Sequence, residues 1–226
     1  MPIRYKDIKP WGRSFEEYTR MFSLSETDRN RKILGCGDGP AAFNSAMTKL
    51  GKKVCSVDPI YAFSREEIEH RIEETYADVI AQTRANQDRF LWTTFKSVDE
   101  LAQVRMCSMK EFLHDFNEGK SEGRYVYAEL PKLPFDDKEF DLALCSHFLF
   151  LYTDNLSYEF HYDSLLELLR VANEVRVFPL LDANADRSIY TDRVIADLIQ
   201  VGYLPLEEKV NYEFQRGGNT MLRIHS

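Results

Sequence analysis

The chain has 226 residues, enough for one α/β domain with a substantial core and too few for two ordinary domains and a linker. Hydrophobic residues at 44% and charged residues at 29% exclude a disordered or fibrous chain, and a net charge of −8 offers no bulk attraction for phosphate backbones, so a nucleic-acid partner is disfavoured. The first residues hold no apolar core of signal-peptide length, and nowhere do about eighteen uncharged apolar residues run together, which points to a cytoplasmic protein with no membrane partner.

Ser14 and Glu17 form a capping box, and Phe15, Tyr18, Met21 and Phe22 follow at helical spacing, so residues 1–30 are expected to form a helical arm. Residues 31–34 read as a strand that ends in Gly35-Cys36-Gly37-Asp38-Gly39. Pro40 then stands at what would be the first helical position, where its missing N–H costs nothing. Phe43, Ala46, Met47 and Leu50 make the stripe of a helix closed by Gly51, and residues 54–57 form a strand stopped at Asp58-Pro59. Over about 60–121 the pattern changes to two long helices, opened by the capping boxes Ser64/Glu67 and Ser97/Glu100. Strand periodicity returns at 125–128 and 140–145. A helix at 165–171, a strand at 175–181, a helix at 192–201 and a hairpin of 209–214 with 221–224, turned by Gly217-Gly218, complete the chain. Cys36, Cys55, Cys107 and Cys145 are widely spaced with no C-x-x-C pair, the pattern of small buried residues and not of a metal site or a disulfide framework.

Alternating strands and helices imply a doubly wound, mostly parallel sheet whose ligands gather beyond the strand C-termini, where strand order reverses. The loops after Leu34, Val57, Ala128 and Cys145 would then share one rim. Glycines at 35, 37 and 39 allow a tight turn and a close approach to a ligand, and Asp58 lies 19 residues past Gly39 at the end of the next strand. A carboxylate there can accept both hydroxyls of a ribose; the alternative is a turn-capping residue before Pro59. A dinucleotide fingerprint wants a third glycine where Pro40 stands, which weighs against a nicotinamide or flavin oxidoreductase.

Residues 33–39, Asp58, the run Glu129-Leu130-Pro131-Lys132-Leu133-Pro134-Phe135 and residues 140–147 together resemble the glycine motif, ribose acid, adenine loop and fourth strand of class I methyltransferases. The resemblance spans roughly residues 31–181 and implies a Rossmann-like, seven-stranded sheet with a C-terminal antiparallel hairpin and S-adenosylmethionine as cofactor. It puts Gly35 and Gly37 against the methionine part, Asp58 at the ribose, and Glu129 with the Leu130 backbone at adenine, with Cys36 and Pro59 also in the cofactor site. Ser146 either touches the methionine carboxylate or caps the next helix. Two departures stand out: no glycine turn separates residues 165–171 from Val175, and about sixty residues with two extra helices part the second and third strands.

That insertion carries Tyr61, Phe63, Tyr76, Phe90, Trp92, Phe95, Phe112 and Phe116, which either wall a substrate pocket or glue the helices to the sheet. Methyl transfer needs few obligatory side chains. His147, just past the fourth strand, is the candidate general base, with packing or capping as its alternative role; Tyr152, Asp154 and His161 are weaker candidates. His70 and His114 fall on solvated helix positions, and Trp11, Arg13 and Tyr18 either close over the cofactor or belong to a docked helix. The expected activity is methyl transfer to a small molecule or an exposed protein group, the alternative being a non-catalytic S-adenosylmethionine-binding or regulatory protein.

Overall fold

The computed structural model describes residues 9–225, so residues 1–8 of the expected arm and Ser226 lie outside it. The described part of the arm contains α1 (Phe15–Met21), entered through the complete Ser14/Glu17 capping box, and α2 (Glu26–Arg29), which opens on a second box from Ser25 and Asp28. Then come β1 (Ile33–Cys36), α3 (Phe43–Lys49), β2 (Val54–Val57), α4 (Arg65–Ala85), α5 (Val98–Ser121), β3 (Tyr125–Val126) and β4 (Phe140–Ser146). The last third holds α6 (Tyr158–Val171), β5 (Ala172–Phe178), α7 (Thr191–Gln200), β6 (Leu204–Lys209) and β7 (Thr220–His225).

The seven strands form one sheet in the order β3-β2-β1-β4-β5-β7-β6, parallel except for β7, which pairs antiparallel with both β5 and β6. This is the Rossmann-like, doubly wound arrangement expected. β1 and β4 are buried because helices cover both faces, which is why they read as unbroken apolar runs. Leu34, Ala143 and Val175 pack against Leu165, Leu168 and Leu169 on one face; Ile33, Leu142 and Leu144 pack against Tyr18, Phe22 and Phe43 on the other. No helix of the described residues is long and apolar enough to cross a membrane.

Several boundaries differ from the sequence reading, each for a physical reason. Pro40 is not the first residue of a helix: α3 starts at Phe43 after Ala42, so Pro40 belongs to the glycine loop. α6 begins seven residues earlier than expected, capped by Ser157, and runs straight into β5, which starts at Ala172 rather than at Val175. No glycine is needed at that junction. Lys138 Nζ donates to the carbonyls of Leu169 (2.7 Å) and Ala172 (3.1 Å), satisfying groups that a helix end leaves open. The expected strand at 125–128 pairs only through Tyr125 and Val126.

The hairpin is also displaced. β6 occupies Leu204–Lys209, and residues 210–219 form a long connection in place of a tight Gly217-Gly218 turn. As an outer strand β6 leaves Leu204 and Leu206 exposed and accommodates Pro205, so it shows no buried alternation. The alternation of Val210, Tyr212 and Phe214 serves a different surface: those side chains pack against the cluster around Phe22 and Phe178.

Of the two long helices between β2 and β3, α5 packs on α3 and β3 and is the crossover helix that a parallel pair requires. Only α4 is an addition, and it packs on α5. Ser64 and Ser97 cap them as expected, although the Glu100 carboxylate accepts the Lys96 N–H instead of closing a box on Ser97. Tyr61, Phe112 and Phe116 cluster with Tyr125, so these aromatics glue the insertion to the sheet edge. Cys36 and Cys145 are buried neighbours on β1 and β4, whereas Cys55 is half-buried and Cys107 is exposed, against the expectation of burial.

Candidate active site

β1 and β4 are adjacent in the sheet but separated in sequence by β2 and β3, so strand order reverses between them and a crevice opens beyond their ends. A cavity of about 410 Å³ fills it. Its lining includes Cys36, Gly37, Asp58, Pro59, Glu129, Leu130, Ser146 and His147, so eight of the nine residues singled out from the sequence meet there. Gly35 does not line the cavity. It is glycine because the Asp38 carboxylate folds back over it: a Cβ at Gly35 would sit 1.8 Å from Asp38 Oδ2. Gly35→Ala should therefore cost about 1–3 kcal/mol, read as a lower melting temperature by circular dichroism. An unchanged melting point would mean that Asp38 moves freely.

Asp38 is the residue the sequence reading passed over. It is buried, and its carboxylate accepts hydrogen bonds from the Tyr18 hydroxyl (2.8 Å) and Ser56 Oγ (2.6 Å), tying the glycine loop to α1 and β2. Burial pushes its carboxyl up to about 6. Nothing in a G-x-G-D-G string marks that aspartate as buried, because its partners lie 18 and 20 residues away.

Asp58 follows β2 directly and uses both carboxylate oxygens locally: Oδ2 accepts from the Gly39 N–H (2.8 Å) and Oδ1 from the Ile60 N–H (2.9 Å). The turn-capping role is thus present, and Asp58 also lines the cavity with lone pairs to spare. Burial pushes its carboxyl up to about 6, against the lowering effect of those two backbone donors. Gly37 and Gly39 have φ of +67° and +53°, a region that favours glycine, and the nearest atom to a Cβ built on Gly39 is Asp58 Oδ2 at 3.9 Å. A Cβ on Gly37 would meet Phe148 at 3.1 Å, so the loop is open at Gly39, where it and the Asp58 carboxylate form a cradle that fits a ribose-bearing ligand. Glu129 is exposed at the cavity edge and Leu130 is buried.

His147 follows β4 with φ of +50°, an uncommon conformation for a residue with a side chain, held by its N–H donating to the Phe178 carbonyl at 2.6 Å. Its ring lies edge-on to Phe178 (centroids 5.4 Å apart), and Nδ1 is 3.0 Å from Ser146 Oγ. Ser146 caps no helix, since α6 is capped by Ser157. Burial, with the nearby Arg13 and Arg105 guanidinium groups, pushes the imidazole well below 6.5, so it is neutral at pH 7. Tyr152 also lines the cavity, its hydroxyl accepting the Lys9 N–H at 3.2 Å. His161 is buried with its nitrogens against the Ser157 and Leu149 carbonyls, Asp154 is exposed, and neither lines the cavity; His70 and His114 are exposed.

The other half of the cavity comes from outside the central sheet. The arm supplies Lys9, Trp11 and Arg13; the segment between β2 and β3 supplies Val79, Thr83, Phe90, Leu101 and Arg105; the β6–β7 connection supplies Phe214 and Gln215. Of the eight insertion aromatics only Phe90 reaches the cavity. Trp92 and Phe95 instead meet Phe214 edge-on at 5.5 and 5.3 Å, and Phe90 stacks on it at 4.7 Å. The Phe90–Gln215 bridge and the Leu91 N–H to Phe214 carbonyl bond (2.7 Å) fasten the connection to the insertion.

The sheet order and the crevice at its switch point define a class I methyltransferase fold. The chain belongs to one family with an uncharacterized protein of Methanocaldococcus jannaschii, to which it is 36% identical over 223 residues, 98% of each chain. No family model matches it. Among solved structures it is similar to a protein from Pyrococcus horikoshii OT3 at 13% identity, covering 94% of this chain and 90% of that one with a TM-score of 0.48. It is also similar to a SAM-dependent methyltransferase from Aquifex aeolicus at 14% identity, covering 93% and 87% with a TM-score of 0.43.

Proposed function

We propose that the protein is a cytoplasmic S-adenosylmethionine-dependent methyltransferase. The observation that carries this reading is the convergence of the open glycine loop, Asp58 and the end of β4 on one cavity at the switch point. S-adenosylmethionine, when bound, supplies an electrophilic methyl group on a sulfonium. Asp58 accepts the ribose hydroxyls, the Leu130 backbone and Glu129 border the adenine end, and the backbone of Gly37, which lines the cavity, borders the methionine portion. Leu151, Leu156, Phe148 and Phe160 keep water away from the reacting centre. His147 takes a proton from the acceptor; this requires the tautomer in which Nδ1–H donates to Ser146 Oγ and Nε2 keeps its lone pair.

Calorimetry with S-adenosylhomocysteine tests the reading, with binding expected for the wild type. Asp58→Ala should weaken it about tenfold to over a hundredfold, because a hydrogen bond to a carboxylate is worth about 1.5–3 kcal/mol. Tight binding of a nicotinamide dinucleotide instead would sink the assignment. The ionised carboxylate is the better acceptor, and burial puts its pKa at about 6. Affinity should therefore be level above pH 7 and fall below about pH 6, approaching tenfold per pH unit for one proton. The stability of the ligand-free protein should move the other way: a raised carboxyl pKa favours the folded state most below the unfolded value, and that contribution is lost as pH rises through about 6. A flat affinity from pH 5 to 7 would remove Asp58 from the ribose contact.

A further inference from the structure

Arg13 and Arg105 line the cavity together with His147, and among the described residues only Arg105 pairs directly with a carboxylate. Arg105, almost fully buried, forms a forked pair with Glu17, including Nη2 to Oε1 at 2.6 Å, and Glu17 also accepts the Tyr212 hydroxyl at 2.7 Å. Arg13 also lines the cavity, but among the described residues its guanidinium makes one hydrogen bond, from Nη1 to the Trp11 carbonyl at 3.1 Å. Its Nε is buried with no acceptor, and among the described residues no carboxylate lies within 4 Å of its guanidinium. A buried guanidinium with donors left over carries a desolvation cost that an anion would offset. Arg13 is held there by the fold: its carbonyl accepts the Ala42 N–H at 3.0 Å, and a Cβ on the preceding Gly12 would fall 2.0 Å from the Pro40 carbonyl oxygen.

The cavity lining carries both charges: Asp38, Asp58 and Glu129 come from the loops at the strand ends, and Lys9, Arg13 and Arg105 from the arm and the insertion. Trp11 and Phe90 from those same two segments, with Phe214 of the β6–β7 connection, add apolar surface. At about 410 Å³ the space suits a small ligand, and separate segments of the chain line it.

We propose that Arg13 binds an acidic group, a carboxylate or a phosphate, on a small acceptor with an apolar body, and so selects anionic acceptors for this cavity. The proposal rests on the methyltransferase reading. The methionine carboxylate of the cofactor is the rival source of the same chemistry. The acceptor is favoured because Arg13 comes from the arm, outside the central sheet, and lines the cavity with the insertion's Arg105 and with His147, the base the acceptor must reach. Arg13 itself feels burial first and then Arg105, both of which hold its pKa below the usual arginine value.

The test uses the wild type, Arg13→Gln and Arg13→Lys, each free and saturated with S-adenosylhomocysteine, titrated with 3-phenylpropionate, phenyl phosphate and the uncharged 3-phenylpropionamide. At least one anion should bind the wild type at least tenfold more tightly than the amide. It should shift the Arg13 Nε–H resonance in NMR spectra, lose at least tenfold in Arg13→Gln and recover part of that in Arg13→Lys. S-adenosylhomocysteine affinity should change less than threefold in both variants, and melting temperatures confirm that they fold. Loss of S-adenosylhomocysteine affinity in Arg13→Gln, with 5′-methylthioadenosine binding unchanged, would assign Arg13 to the cofactor and overturn the proposal. Equal binding of anions and amide would overturn it as well. If the wild type fails to bind S-adenosylhomocysteine at all, the methyltransferase reading falls, and the titrations of the free protein still decide whether Arg13 is an anion site.

Discussion

His147→Asn should lower turnover by about a hundredfold to ten-thousandfold while leaving S-adenosylhomocysteine affinity within about threefold of wild type, the signature of a lost general base. Asparagine is the informative replacement because residue 147 sits at φ +50°, which asparagine tolerates better than alanine. The backbone N–H bond to Phe178 can persist, so the fold is kept while the proton acceptor is removed. Because burial and two nearby guanidiniums hold the imidazole well below 6.5, the wild type should show no histidine limb in turnover between pH 6.5 and 8. Single-turnover methylation across that range, on an acceptor found through the anion titrations, reads both effects. Full turnover in a well-folded His147→Asn protein would leave a site that works by proximity alone.

The second large effect concerns stability. Arg105→Met should cost about 3–5 kcal/mol, because it strands the Glu17 carboxylate in a buried site next to Tyr212. For a chain of this size that is a fall in melting temperature of roughly 6–20 °C. The double variant Glu17→Gln/Arg105→Met should recover much of the loss, since no unpaired charge is then left inside. Burial pushes the Glu17 carboxyl up, yet the Arg105 guanidinium, helped by Arg13 and the Ser14 N–H, outweighs it and holds the group below 4.5. The stabilisation is therefore present above pH 4.5 and lost as pH falls through the lowered value, so the wild-type advantage over Arg105→Met should shrink in acid. A single variant that melts with the wild type would show that Arg13 has taken over the partnership with Glu17.

The central sheet was legible in the sequence because β1 and β4, buried on both faces, write themselves as apolar runs, and because Gly37, Gly39 and Asp58 carry backbone and acceptor requirements that few other residues meet. β6 was hidden for the converse reason: an outer strand with exposed leucines and a proline has no face to bury, so the nearby alternation of Val210, Tyr212 and Phe214 was mistaken for it. The start of α6 at Tyr158 was missed because its first turns mix aromatic and acidic residues ahead of the leucine stripe. In the cavity, the residues near the strand ends could be read locally. Asp38 and Arg105 could not, because each owes its role to partners far along the chain, such as Glu17, 88 residues before Arg105. Arg13 reads from the sequence only as a residue able to close over the site; that its buried Nε meets no acceptor among the described residues is a property of the folded molecule.

Because the β6–β7 connection is fastened to the insertion at Phe90, Leu91 and Gln215, the two segments cannot diverge independently. A relative that reshapes one must reshape the other to keep the stacked rings together, and the arm, which meets the insertion where Trp11 lies against Tyr76 at 5.8 Å, is drawn into the same dependence. Altering which molecule the cavity accepts would thus call for transplanting three stretches of chain as one unit onto an unchanged sheet, while exchanging any single stretch would leave a gap or a collision at the seams.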